Sequence, residues 1–247
     1  MTFCECGARL DVWQQAARLC PRCLFQLAID SNASSADHSD PAHDVQIVGP
    51  LGEGPRSIVY LGVRGRERTL VTVKLIHEAL AADRFCERIS EIASRLRSTS
   101  NASFQSLIGA GVTPDGQVYV VARYVPGVAI TDYVAAHRSS ALDRARLAGD
   151  VCALVEGLHA GHIVHGSIKA RNVLVAEGPD GPSPVLLDIG VAGVIEESRH
   201  RVSSRSDAIR VDISALTKLL VDFLERPPTT LLEDVGSAAA LAKLFRR

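Results

Sequence analysis

The sequence predicts an α+β protein of two lobes, the first β-rich and the second helical, behind a small cysteine-rich segment. Three observations predict it. Short runs heavy in Val, Ile and Tyr recur between residues 45 and 125, separated by glycine-containing turns. After Pro126-Gly127 the apolar residues take a helical period. Four of the six cysteines and the only tryptophan fall within residues 1–30. Strands followed by helices point to segregated α+β architecture rather than alternating α/β.

The elements follow in order. Residues 31–44, SNASSADHSDPAHD, offer almost nothing to bury and read as a solvated linker. VQIVGPLGEG, SIVYLGVRG and TLVTVKLI are strand-like, and so is QVYVVARYV further on. Between the third and fourth runs, AADRFCERISEIASRLRS places Phe85, Ile89, Ile92 and Leu96 at helical spacing. In the second part SALDRARLAGDVCALVEGLHAG predicts a long helix, NVLVAE and PVLLDIG two short strands, and helices close the chain. The domains expected are therefore 1–30, 31–44, 45–125 and 126–247.

Composition excludes several classes of function. With 247 residues, 47% hydrophobic and 22% charged, the chain can build one sizeable core plus an appendage. A formal net charge of −1 gives no global attraction to nucleic acid or to an anionic membrane, so neither is an expected partner. No apolar run approaches the roughly 18 residues that span a bilayer. The start, MTFCECGARLDVW, lacks the apolar region of a secretory signal, so the expected location is cytoplasmic. In a reducing compartment cysteines serve as thiols or metal ligands more than as disulfides.

Cys4-x-Cys6 and Cys20-Pro-Arg-Cys23 form two close pairs with thirteen residues between them. Four thiolates in two knuckles can close a tetrahedral shell around Zn²⁺, the form structural zinc sites take. So small a segment would draw its folding energy from the metal. The alternative is a set of unligated thiols or a redox pair. Cys86 and Cys152 sit on the apolar sides of predicted helices and read as core.

Leu51-Gly-Glu-Gly-Pro-Arg-Ser-Ile-Val-Tyr60 lays out G-x-G-x-x-S-x-V between two strands, a frame in which backbone amides can approach phosphate oxygens. Val71-Thr-Val-Lys74 then puts a lysine on the next strand but one. Downstream come His165-Gly-Ser-Ile-Lys169-Ala-Arg-Asn172 and Asp188-Ile-Gly190. Glycine-rich loop, strand lysine, glutamate-bearing helix, H-x-x-x-K-x-x-N and D-x-G, in that order, resemble the protein-kinase family from about Val45 onward. The fold this implies is two-lobed and protein-kinase-like, with a β-rich N-lobe and a shortened α-helical C-lobe, preceded by the zinc-knuckle segment.

The resemblance implies roles for individual residues. Gly52, Gly54 and Ser57 would lie over the phosphates of ATP, and Val59 over its adenine. Lys74 would pair with the α- and β-phosphates and with a glutamate of the following helix, Glu91 or its neighbour Glu87. Ala122 takes the gatekeeper place, the backbone near Arg123 and Val125 would bond the base, and Leu174 would form the pocket floor. Asn172 and Asp188 match the two Mg²⁺-binding positions, and oxygen ligands facing a triphosphate are what that ion takes.

Two departures accompany the resemblance. The family motif H-R-D-x-K-x-x-N here has Gly166 for the arginine and Ser167 for the aspartate, while Lys169 and Asn172 remain. A hydroxyl essentially un-ionised near neutral pH cannot accept the incoming proton, and loss of general-base help costs about 10²–10⁴-fold in rate. Only 21 residues separate Gly190 from Asp212, where the helix Asp212-Ile-Ser-Ala-Leu-Thr-Lys-Leu-Leu220 is expected to begin. No A-P-E lies between them, so the usual peptide platform is not expected. A last amphipathic helix is expected over 237–245. The resemblance thus implies a bacterial-type pseudokinase that binds ATP and Mg²⁺ and signals or scaffolds through an unidentified protein partner. Two alternatives stay open, a low-activity serine/threonine kinase and a nucleotide-free adaptor. Thr72, where the family commonly has a small apolar residue against the adenine, and Pro55, which removes one amide from the phosphate loop, give the adaptor its foothold.

Overall fold

The computed structural model describes residues 2–3, 9–10, 41–42, 44–178, 181–198, 204–224 and 237–245. In the amino-terminal segment, β1 (Thr2–Phe3) and β2 (Arg9–Leu10) pair antiparallel, Thr2 opposite Leu10 and Phe3 opposite Arg9. Cys4, Cys6, Cys20 and Cys23, and with them the zinc expectation, lie outside the described residues.

Beyond that segment the chain forms a two-lobed protein-kinase fold, a β-sheet lobe followed by a helical lobe. It divides into two compact units, Met1–Ala93 with Ser106–Tyr124, and Ser94–Gln105 with Val125–Arg247.

The first unit is a five-stranded antiparallel sheet in the order β3-β4-β5-β7-β6. Its strands are β3 (Val45–Gly54), β4 (Ser57–Arg64), β5 (Thr69–Ile76), β6 (Leu107–Val112) and β7 (Val118–Arg123). Alternation makes the sheet two-faced. Val71, Val73 and Leu75 of β5 join Ile58, Tyr60, Tyr119 and Val121 in a buried cluster on one face. Ala42 and Val45 belong to the same cluster, so the end of the stretch read as a solvated linker is core. The Val45 N–H donates to the Ala42 carbonyl at 2.9 Å, which turns the chain into β3. The strand β6, LIGAGV, has no counterpart in the sequence reading, because its small residues give no apolar alternation.

Helix α1 (Ala82–Thr99) buries Phe85, Ile89, Ala93 and Leu96 along one stripe. Its Cys86 is half-buried rather than core. The chain after α1 turns to the second unit, where the Leu186 N–H donates to the Ser103 carbonyl at 2.8 Å. The Gln105 N–H in turn donates to the Leu186 carbonyl at 2.9 Å. That pairing is why residues 94–105 belong with the second unit although the strands on either side belong to the first.

The second unit holds α2 (Ile130–Ala136) and the long α3 (Ala141–Ala160). A Ser140–Asp143 capping box starts α3, the Ser140 Oγ accepting from the Asp143 N–H at 3.1 Å. The small sheet β10-β9-β8 comprises β8 (Val128–Ala129), β9 (Val173–Gly178) and β10 (Gly181–Leu186). Helix α4 (Val191–Ser198) follows D-I-G directly, then α5 (Arg205–Phe223) and α6 (Ala238–Phe245). The helix expected to begin at Asp212 begins instead at Arg205, because Ser204 caps it by accepting from the Asp207 N–H at 3.1 Å. Helix α6 packs on α3 at Gly149, where a Cβ would lie 3.1 Å from that of Phe245. Cys152 is buried in α3 as expected, and burial pushes its thiol up to about 12. Among the described residues no helix is long and apolar enough to cross a membrane.

Candidate functional site

In the first unit the strand register brings the predicted residues together. Gly52 faces Val59, Val59 faces Lys74 and Lys74 faces Val120, and directly opposed residues share a face of the sheet. The next row but one is Leu61, Thr72 and Ala122. Gly52, Val59, Lys74, Thr72 and Ala122 therefore line one face, and the apolar cluster lies on the other. Thr72 donates from Oγ1 to the Ala122 carbonyl at 3.4 Å, so its hydroxyl is taken up across the strands.

The glycine-rich stretch is a tight hairpin, with Gly54 paired to Ser57 and only Pro55-Arg56 at the turn. Its fixed φ suits proline to such a turn. Strand β3 is the edge of the sheet, and two register shifts, at Ile47/Gly49 and Pro50/Gly52, bend it. A Cβ on Gly52 would meet nothing within 4 Å, which leaves its backbone open to a ligand. Arg123 at the end of β7 is exposed. Glu87 and Glu91 both lie on the exposed side of α1, Glu91 in an ion pair with Arg88.

In the second unit the catalytic-loop motif hangs on one carboxylate. Asp212, 1% exposed, accepts the His165 N–H at 2.7 Å through Oδ2 and the Gly166 N–H at 2.8 Å through Oδ1. The His159 ring adds a third bond from Nε2 at 3.1 Å. His165 is fully buried with neither ring nitrogen bonded, and burial holds its pKa below the ordinary 6.5 despite the Asp212 charge. It is a neutral ring in a protein interior.

Gly166 has φ +76, in the left-handed region, and a Cβ there would lie 3.0 Å from the Gly193 nitrogen on α4. An arginine side chain has no room to start from this position. The α4 helix is docked there because the Gly190 N–H donates to the His165 carbonyl at 3.0 Å.

Ser167 is half-buried, and Asn172 addresses it twice, from Nδ2 to the Ser167 carbonyl at 2.8 Å and to its Oγ at 3.3 Å. Committing Nδ2 in this way leaves Oδ1 as the atom Asn172 can offer a cation. Lys169 is exposed at the start of a 3₁₀ turn, Ala170–Asn172. Leu174 sits in the middle strand of the small sheet, opposite Ala129 and Val185. Val125 is half-buried just ahead of β8, and at Gly127 the chain passes so near β9 that a Cβ would lie 2.9 Å from the Val175 carbonyl.

Asp188 takes φ 57, a left-handed value that costs a non-glycine residue on the order of 1 kcal/mol. Its N–H donates to Gln105 Oε1 at 3.2 Å. The Leu187 N–H donates to the Asn172 carbonyl at 2.9 Å, so the residue just ahead of Asp188 is tied to the backbone of Asn172. A carboxylate and an amide oxygen are the hard donors Mg²⁺ takes, and the residues present fit that ion. Among the described residues no cluster of three or more His, Cys, Asp or Glu converges to hold a metal. Gln105 and the Asp212 bonds were missed from sequence. A lone glutamine inside Phe104-Gln-Ser-Leu107 was the available signal for the first, and nothing local signals the second.

The comparisons agree with this architecture. A family model described as protein tyrosine and serine/threonine kinase matches residues 45–217. The serine/threonine-protein kinase pak-2 of Caenorhabditis elegans is 25% identical over 191 residues, 76% of this chain and 35% of that protein. Pkn2 of Myxococcus xanthus is 27% identical over 61% of this chain and 18% of its own length. For AfsK of Streptomyces coelicolor the figures are 28%, 62% and 19%. The matched part thus spans about a third of these relatives or less. Among solved structures, the Mycobacterium tuberculosis PknI kinase domain superposes with a TM-score of 0.61 at 17% identity, over 82% of this chain and 95% of that one. With the family match covering most of the chain, it belongs to the protein tyrosine and serine/threonine kinase family.

Proposed function

We propose that this chain is a pseudokinase, a kinase-family module that binds ATP with Mg²⁺ and transfers phosphate poorly or not at all. The observation that carries the reading is Ser167. It stands where the family places its catalytic carboxylate, and its neutral hydroxyl accepts a bond from Asn172. Nothing at that position can take up a proton from an incoming hydroxyl near neutral pH.

Binding is supported by what remains. Gly52 and Gly54 present edge-strand backbone toward phosphates, Lys74 supplies a cation from the same sheet face, and Asn172 and Asp188 supply oxygens. When bound, Mg²⁺ would neutralise phosphate charge and fix the triphosphate's orientation. Output would then pass to a protein partner that recognises the nucleotide-bound shape, with Cys4, Cys6, Cys20 and Cys23 holding structural Zn²⁺ in a cytoplasmic protein. The short run from Gly190 to α5, part of it wound into α4, supports the loss of a peptide platform.

The test is thermal unfolding with ATP and MgCl₂. Ligand that binds only the folded state raises stability by about 2.7 kcal/mol at a hundredfold excess over Kd. The parent should gain stability, and Lys74→Ala and Asp188→Ala should lose most of that gain. No gain in the parent would overturn binding and favour the nucleotide-free adaptor. Transfer of radiolabelled γ-phosphate to the chain itself or to a basic protein, abolished by Asp188→Ala, would overturn the pseudokinase reading in favour of a slow kinase.

A further inference from the structure

We infer that Gln105 is a positioning residue for Asp188, a backbone clamp that sets where the metal-facing carboxylate points. The inference rests on the nucleotide reading above and deepens it.

Gln105 is 5% exposed, one of few buried polar side chains among the described residues. It lies at the end of a segment whose backbone is already fixed to the strand leading to Asp188. The Leu186 N–H donates to Ser103 at 2.8 Å, the Gln105 N–H donates to Leu186 at 2.9 Å, and Phe104 bridges Leu186 in parallel. With its backbone held, the side chain carries Oε1 to the Asp188 N–H at 3.2 Å. That N–H belongs to a residue at φ 57, and the next-but-one residue, Gly190, has φ 78. Ile189 between them is fully buried, so the D-I-G turn is pinned at its centre and its first amide.

An extended Asp188 would aim its carboxylate elsewhere, since turning φ through the backbone swings the Cα–Cβ bond. The bond from Gln105 favours the left-handed alternative, because leaving that conformation breaks it. The Asn172 amide is oriented by Ser167 in the same unit, so each of the two cation-facing side chains has its own orienting partner. Orientation of ligands by a second layer of hydrogen bonds is a general feature of metal sites.

The experiment uses the full chain and two variants. Gln105→Met keeps the volume and removes the acceptor, while Gln105→Glu keeps an acceptor oxygen. Amide hydrogen exchange, resolved to single residues and without ligand, is read at Leu186, Leu187 and Asp188. Gln105→Met should speed exchange at Asp188 about tenfold, the effect of losing one hydrogen bond, with Leu186 and Leu187 unchanged. Gln105→Glu should restore slow exchange. In thermal unfolding with ATP, Gln105→Met should need about tenfold more MgCl₂ for half of the magnesium-dependent gain, with the magnesium-free response unchanged.

Unaltered exchange at Asp188 would overturn the inference, as would equal acceleration at all three amides, which means general loosening. Faster exchange at Asp188 with an unchanged magnesium requirement would overturn the link to the carboxylate. A parent that ignores ATP and MgCl₂ sinks the nucleotide reading instead, and the exchange pattern still decides whether Gln105 holds Asp188.

Discussion

The five-stranded sheet and the His165–Asn172 loop place their candidate site residues by opposite means. On the sheet, Gly52, Val59 and Lys74 come together through antiparallel register, one residue opposite another. In the loop, His165 and Gly166 are held by Asp212, 47 and 46 residues away in sequence. Register is distributed over many ladder bonds, so no single side chain is indispensable to it. The start of the loop hangs two successive amides on one buried carboxylate. Robustness in the first region and fragility in the second should therefore be measurable.

The largest expected effect is at Asp212. Replacing it with Ala leaves the buried His165 N–H, the half-buried Gly166 N–H and the His159 ring without this acceptor. Each stranded buried group costs about 1–3 kcal/mol, so Asp212→Ala should lose about 3–5 kcal/mol in urea unfolding. A loss below about 1 kcal/mol would mean that the loop is held by something other than this carboxylate.

Next comes Gly166→Arg, which restores the family's residue. At φ +76 and 3.0 Å from the Gly193 nitrogen, the new Cβ is strained twice over. Stability should fall by about 2 kcal/mol, with α4 displaced from the loop. A neutral or stabilising result would show that α4 yields at little cost, and that the missing arginine is a matter of function alone.

Legibility in the sequence follows the same divide. The strands Val45–Gly54 and Thr69–Ile76 coincide with the runs read from alternation and turn chemistry. The order of motifs named the residues of the sheet face, and regular register then placed them. The loop's supports were not legible, because a bond between Asp212 and an amide 47 residues earlier leaves no local pattern. Gly166 read as a lost arginine, and its left-handed backbone and contact with α4 became visible only in three dimensions. The motif aspartate Asp212 lies inside α5 rather than at its start, because Ser204 and Asp207 carry the capping chemistry.

A smaller effect concerns pH. His165 titrates below its ordinary value of 6.5 because burial disfavours the charged ring. The unfolded chain therefore binds a proton first as pH falls through about 6.5, while the folded chain does not, and stability drops across that window. Above it the group contributes no pH dependence. The slope from one such group is at most about 1.4 kcal/mol per pH unit. Urea midpoints of the parent and of His165→Phe between pH 7.5 and 5 should diverge below 6.5, the variant falling less steeply. Parallel curves would mean that His165 titrates alike in both states.

The smallest effect on stability, and the sharpest contrast with Gly166, is expected at Gly52. A methyl group here meets nothing within 4 Å and the backbone has no left-handed φ, so Gly52→Ala should change stability by no more than about 0.5 kcal/mol. Alanine also restricts the unfolded chain more than glycine does, which offsets part of any loss. Under the nucleotide reading the same methyl stands where backbone approaches phosphate. The thermal gain from ATP and MgCl₂ should then shrink in Gly52→Ala although the unliganded protein unfolds as before. Two glycines of one chain would thus separate cleanly, Gly166 required by the fold and Gly52 by the ligand. If Gly52→Ala left the ATP response intact, openness at the edge of the sheet would be a property of the hairpin alone, and the case for phosphate at that edge would rest on Lys74.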